Sequence, residues 1–287
     1  MRLATLRTAD GTRAVRLENG SYIDLGVPDL GALLNLPDWA GYAADAAGRV
    51  YDPAAVDLAA PVPRPGKILC VGLNYRTHIL EMGRELPAYP TLFAKYAEAL
   101  IGPADPILLP PESGAVDWEA ELALVVGRTV RRANAEEAAL AIAGFTVLND
   151  VTMRDWQYRT PQWLQGKTFE GSTPTGPLLV TPDELPGGTA PALMLTGSVD
   201  GEIVQKASTE DLVFTPADLV QYASAILTLR PGDLIATGTP GGVGHARQPA
   251  RYLANGMRLI TEITGIGRLD NVALTETGVP LEAGAPR

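Results

Sequence analysis

Val116-Asp117-Trp118-Glu119-Ala120-Glu121-Leu122-Ala123-Leu124-Val125-Val126-Gly127 opens with acidic residues at alternate positions and closes in an apolar run of strand length. On a strand successive side chains face opposite ways, so Glu119 and Glu121 share one face while Trp118, Ala120 and Leu122 share the other. The apolar run implies an interior position, where two neighbouring carboxylates repel unless a proton or a cation intervenes. A hard divalent ion meets that need. Asp150, just past the apolar run Phe145-Thr146-Val147-Leu148, is placed to offer a third oxygen ligand. Such an all-oxygen set suits Mg²⁺ or Mn²⁺. The alternative for the same residues is a solvated face on an edge strand.

Outward from this segment, strand-length runs dominate. Leu3 to Leu6, Arg13 to Leu17 and Tyr22 to Leu25 are separated by the turn pairs Asp10-Gly11 and Asn19-Gly20, the second a strong hairpin signal. Ala60-Pro61-Val62-Pro63-Arg64-Pro65-Gly66 disfavours both helix and central strand, and the spacing places a boundary there, between a small N-terminal accessory domain (1–62) and a main domain (63–287). Lys67 to Gly72 then reads as a buried strand. Three helices are expected: one over Trp39 to Ala47, one capped by Asn134 and stopped by Gly144, and one started by Thr215-Pro216 and stopped by Pro231-Gly232. Leu178 to Val180, Leu193 to Thr196, Leu234 to Thr237 and Leu259 to Ile263 add strands. Without regular β-α alternation, the pattern is that of a β-rich mixed α+β fold and not a doubly wound sheet.

Composition removes whole classes of function. The 287 residues are 46% hydrophobic and 20% charged, enough apolar material for one large domain with a small appendage. A formal net charge of −10, with no basic stretch beyond Arg128 to Arg132, argues against nucleic acid and against anionic membrane surfaces as partners. No apolar run approaches the roughly 20 residues of a spanning helix, and polar residues follow Met1-Arg2-Leu3 where a signal peptide would carry its apolar core. Cys70 is the single cysteine, which rules out an internal disulfide and a Cys-based zinc site. A cytoplasmic setting is expected.

Other residues with chemical potential are sparse. His78 and Glu81 lie three apart, neighbours on a helix, where a carboxylate would orient an imidazole, raise its basicity and make it a general base; a surface ion pair is the plainer alternative. Lys167 is the only lysine between Lys95 and Lys206. Thr237-Gly238-Thr239-Pro240-Gly241-Gly242-Val243-Gly244 ends a strand in a loop whose amides suit a carboxylate; no Gly-Lys-Ser/Thr follows, so it is no P-loop. His245 follows, with nothing acidic nearby in sequence, and is expected to be structural or solvent-facing.

In order and spacing, several motifs together resemble the fumarylacetoacetate hydrolase family. They are Val71-Gly72-Leu73-Asn74-Tyr75, His78 with Glu81, Ala99 to Pro103, Asp117 to Leu122, Asn149-Asp150-Val151 with Arg154-Asp155 and Gln157, Gly166-Lys167, Gly176-Pro177, and Leu234 to Gly244. The resemblance runs from about Lys67 to near Val272 and implies a rolled mixed sheet, a homodimer, and a Mg²⁺, Mn²⁺ or Ca²⁺ site formed by Glu119, Glu121 and Asp150. It also implies His78, Glu81 and Lys167 as catalytic residues, and Arg154, Gln157, Thr239 and Tyr75 as substrate-binding ones. In the family a segment like Asn74 to Pro87 acts as a mobile lid. Leu92 to Ala97 lacks the family's proline after the lysine, a departure beside the implied pocket.

The activity implied first is that of a metal-dependent hydrolase cleaving a carbon–carbon bond in a β-dicarbonyl 2-oxo acid, such as an acylpyruvate or fumarylacetoacetate. The second is decarboxylation of oxaloacetate-like acids, or isomerisation and tautomerisation of 2-oxo-dienoates, on the same site. A non-catalytic metabolite-binding protein is the third, and retention of His78, Glu81 and Lys167 argues against it.

Overall fold

A computed structural model describes residues 1–276. The N-terminal part holds β1 (Arg2–Thr8), β2 (Gly11–Glu18), β3 (Ser21–Asp24), α1 (Leu30–Leu34), α2 (Trp39–Asp45), β4 (Val50–Tyr51) and β5 (Asp57–Leu58). Then come β6 (Ile68–Gly72), α3 (Arg76–Glu81), β7 (Thr91–Lys95), β8 (Leu100–Ile101), β9 (Ile107–Leu109), β10 (Val116–Asp117), β11 (Ala120–Val126), α4 (Ala135–Leu140) and β12 (Ile142–Asn149). The remainder is β13 (Thr152–Met153), α5 (Arg154–Gln157), α6 (Leu164–Lys167), β14 (Thr173–Val180), β15 (Met194–Val199), β16 (Glu202–Ser208), α7 (Pro216–Ile226), β17 (Leu234–Ala236), β18 (Arg258–Ile263) and β19 (Gly267–Thr275).

The main sheet follows the path β4-β3-β2-β1-β14-β12-β11-β17-β6-β7, and a second sheet of five strands runs β16-β15-β18-β19-β9. Antiparallel pairs predominate, with β17–β6, β14–β8 and β19–β9 parallel. This is the β-rich mixed fold that the run lengths imply. β1 hydrogen-bonds β14, so strands from both sides of the expected 62/63 boundary share one sheet. Residues 277–287 of the expected main domain lie outside the described residues.

β11 and β12 are buried at every residue because the sheet is covered on both faces, which is why they read as continuous apolar runs. Leu122, Leu124 and Val126 join one core cluster, Ala123 and Val125 another. With β12 on one side and β17 on the other, β11 is central, so the edge-strand alternative for Glu119 and Glu121 does not hold.

Two local expectations need correction. The segment from Val116 is not one strand: β10 pairs with β13 in a small separate sheet, and the ladder breaks at Trp118-Glu119, where the Glu119 amide donates to the Asn149 side chain. Gly144 does not stop α4, which ends at Leu140; it sits inside β12, where a Cβ would lie 2.9 Å from the Val180 carbonyl carbon. Close backbone approach, and not helix termination, demands that glycine.

Candidate active site

The β11–β12 register pairs Ala120 with Asn149, which brings Glu119 beside Asp150, and the Asp150 amide donates to the Glu119 carbonyl (2.8 Å). Ligand oxygens of Glu119, Glu121 and Asp150 all lie within 4.8 Å of one another, and the three residues are buried.

Cations converge on two of the three carboxylates. Lys167, carried on α6, reaches Glu119 Oε2 (2.7 Å) and Asp150 Oδ2 (2.8 Å). Lys95, at the end of β7, reaches Asp150 Oδ1 (2.6 Å) and the Val151 carbonyl (3.2 Å). Arg154, on α5, bridges Asp117 Oδ2 (2.8 Å) and Glu119 Oε1 (2.7 Å) and donates to Gln157 Oε1 (2.9 Å). Among the described residues Glu121 receives only the Gly238 amide, at 2.8 Å.

Four carboxylates thus meet three cations, and the surplus negative charge falls on Glu121. Burial first, then repulsion from Asp150 and Glu119, pushes the Glu121 carboxyl far above the usual carboxylate range. Asp150 goes the other way: burial alone would raise it, but Lys167 and Lys95 outweigh burial and hold it ionised. Lys167 is held protonated by Asp150 and Glu119 against the opposing effect of burial. A buried, oxygen-rich donor set with one uncompensated carboxylate fits a hard divalent cation.

The cluster opens into a cavity of about 270 Å³, with Gly72, His78, Arg84, Phe93, Glu119 and Arg154 on its wall. Gln157, Trp163, Lys167, Thr239 and His245 also line it. Trp163 packs edge-on to Phe93 with centroids 5.4 Å apart, and a Cβ at Gly72 would lie 2.6 Å from the indole, so glycine admits the ring.

His78, on α3, is half-buried. A Cβ added to Gly241 would lie 3.0 Å from His78 Nδ1 and 3.6 Å from Glu81 Oε2, so both side chains abut the loop after β17. Among the described residues Glu81 makes no hydrogen bond to His78. Burial lowers the imidazole pKa more than Glu81 and Glu119 raise it, the reverse of the expected gain in basicity.

Two further expectations change. Tyr75 is not on the cavity wall; it is fully buried with its hydroxyl unpartnered, and burial together with the Glu121 charge raises its pKa. Thr239 does line the cavity, but its hydroxyl already donates to the Ala120 carbonyl (2.9 Å) and accepts from Gln205 Nε2 (2.8 Å), so a substrate carboxylate would compete for it.

Several site residues escape sequence reasoning. Asp117 accepts from Arg154 and from the Gly244 and His245 amides (2.7 and 2.9 Å), tying the loop to the cluster. His245 is solvent-exposed, as expected, and at the same time stands at the cavity wall; its Nδ1 lies 3.0 Å from the Tyr252 hydroxyl. Lys95 ends a run of partly buried residues, and no signal within Thr91–Lys95 discloses its buried partner.

A β-rich chain whose buried carboxylate triad could hold a metal ion, beside a small cavity lined by Lys167 and Arg154, has the make-up of a metal-site protein. Residues 67–273 match the fumarylacetoacetate (FAA) hydrolase C-terminal family, and the chain belongs to that family. It is 44% identical over 217 residues to a mitochondrial oxaloacetate tautomerase of Rattus norvegicus, covering 75% of this chain and 69% of that one. Among solved structures it resembles a fumarylacetoacetate hydrolase from Exiguobacterium antarcticum (TM-score 0.86, 32% identity, 96% of this chain and 100% of that one). A 2-hydroxyhepta-2,4-diene-1,7-dioate isomerase from Mycobacterium marinum is also similar (TM-score 0.77, 32% identity, 97% and 100% covered).

Proposed function

We propose that the protein is a divalent-metal-dependent enzyme that interconverts enol and keto forms of an oxaloacetate-like 2-oxo acid. The observation that carries this reading is the arrangement on the cavity wall: Lys167 and Arg154, ion-paired to Glu119, Asp150 and Asp117, face the half-buried imidazole of His78, whose pKa burial lowers.

Glu119, Glu121 and Asp150 would hold the ion, with Mg²⁺ or Mn²⁺ the best match and Ca²⁺ compatible. A bound divalent ion supplies Lewis-acid polarisation of the 2-oxo acid. Lys167 adds a fixed positive charge where the enolate oxygen develops, and because it stays protonated it donates hydrogen bonds and accepts no proton. Arg154, braced by Asp117 and Gln157, orients the substrate. His78 takes the enol O–H proton and returns a proton to C3; the C2–O bond becomes a carbonyl, and no water is consumed. Phe93 and Trp163 keep the site apolar on one side.

This is the second of the activities implied by sequence, and it has better support than carbon–carbon hydrolysis. Hydrolysis requires an activated water, and His78 here lacks the hydrogen bond to Glu81 that would raise its basicity. The tautomerase name of the rat relative points the same way. That relative is mitochondrial by name, so relatedness gives the expected cytoplasmic setting no support. We also propose a homodimer.

The test is the decay of enol-oxaloacetate ultraviolet absorbance with purified protein and Mg²⁺ or Mn²⁺, beside an acylpyruvate and a measurement of CO₂. Enol loss well above the metal-only rate is expected, falling roughly 100-fold or more in His78→Ala, the scale of a general base. Acylpyruvate cleavage without acceleration of enol decay would overturn the reading.

A further inference from the structure

Arg84 stands apart from the other cations of the cavity. Lys167 is committed to Glu119 and Asp150, and Arg154 to Asp117, Glu119 and Gln157. Arg84 lines the same cavity, just past the end of α3, and among the described residues its guanidinium has no ion-pair partner. An arginine fork on the wall of a small cavity, with its donors free, is suited to a planar carboxylate.

Charge bookkeeping gives the same answer. With Glu121 ionised as a ligand, the four carboxylates, the three cations and a divalent ion would sum to one positive charge. Arg84 brings the wall to two positive charges. Arg84 is exposed at the cavity mouth, where a 2-oxo monoacid leaves its charge to solvent, whereas a 2-oxo diacid pairs with both.

We propose that Arg84 receives the second carboxylate of a 2-oxo diacid and makes this chain prefer dicarboxylates to 2-oxo monoacids. The inference rests on the 2-oxo acid reading above and adds the residue that sets the substrate class.

Oxaloacetate and 2-oxobutanoate share a four-carbon 2-oxo acid skeleton and differ in the second carboxylate. Deuterium exchange at C3, followed by nuclear magnetic resonance on the Mg²⁺-loaded protein, reads both with one observable. The ratio of their kcat/KM values should fall about tenfold in Arg84→Gln, the effect of losing one charge-assisted hydrogen bond near solvent, and recover partly in Arg84→Lys. Calorimetric binding of malate against 2-hydroxybutanoate supplies the same ratio without turnover. Should the wild type exchange neither substrate, the tautomerase reading fails, and a malate preference lost in Arg84→Gln still upholds Arg84 as the diacid-reading residue. An unchanged ratio in both measurements, or a wild type that does not prefer malate, overturns it.

Discussion

Among the described residues Glu121 is buried without a cation partner, while its neighbours Glu119 and Asp150 have theirs. Glutamine at this position keeps the shape and can still accept from the Gly238 amide, but carries no charge to desolvate. Glu121→Gln should therefore leave the metal-free protein as stable as the wild type or more so, while removing the metal-dependent rise in Tm that mass action gives, about 2.7 kcal/mol at 100 times Kd. The pH dependence has a definite sign. A carboxyl whose folded pKa is raised keeps its proton in the native state, so the metal-free wild type should lose stability as pH climbs above the ordinary glutamate range, and the variant should lack that loss. Melting curves with and without Mg²⁺ across pH decide it; equal Mg²⁺ stabilisation of both proteins would remove Glu121 from the ligand set. The acidic triad was legible because two residues at period two interrupt an otherwise apolar run. Lys95 was not, since its partner Asp150 lies 55 residues away and a lysine at a strand end reads as solvated.

At the scale of elements, the site depends on two single-turn helices that could not persist alone. α5 presents Arg154 and Gln157, and α6 presents Lys167; they touch at Gly166, where a Cβ would lie 2.6 Å from both Gln157 Cα and the Met153 carbonyl. Gly166→Ala must push α6 away and draw Lys167 from Glu119 and Asp150. Overpacking of this kind costs about 1–3 kcal/mol, and kcat should fall at least about tenfold as the enolate loses its fixed charge. A urea midpoint and kcat both equal to wild type would show that the helix contact does not position Lys167. Strands were readable from run length and turn pairs, and Asn19 and Gly20 do take the positive φ values of a tight hairpin. The break at Trp118-Glu119 was not, because it is imposed by Asn149 from the neighbouring strand. The tie of the His245 amide to Asp117 was hidden for the same reason: the two residues are 128 positions apart.

For the whole molecule, family membership and charge pull against each other. A second copy is what the family resemblance implies, yet each copy carries a formal charge of −10, and like charges oppose association over distances set by ionic strength. The Debye length shrinks from about 30 Å at 0.01 M salt to about 8 Å at 0.15 M. If apolar contact holds the pair together, added salt should leave that contact intact while weakening the repulsion, so the dimer should tighten as salt rises. A chain of 30.3 kDa should then scatter as a particle of twice that mass at micromolar concentration and 0.15 M salt, and any dissociation on dilution should be more pronounced at 0.01 M. Dissociation favoured by high salt would mean that ion pairs across the interface dominate, contrary to this account. A mass of 30.3 kDa under both conditions would show that the chain functions as a monomer and that its cavity is complete within one copy.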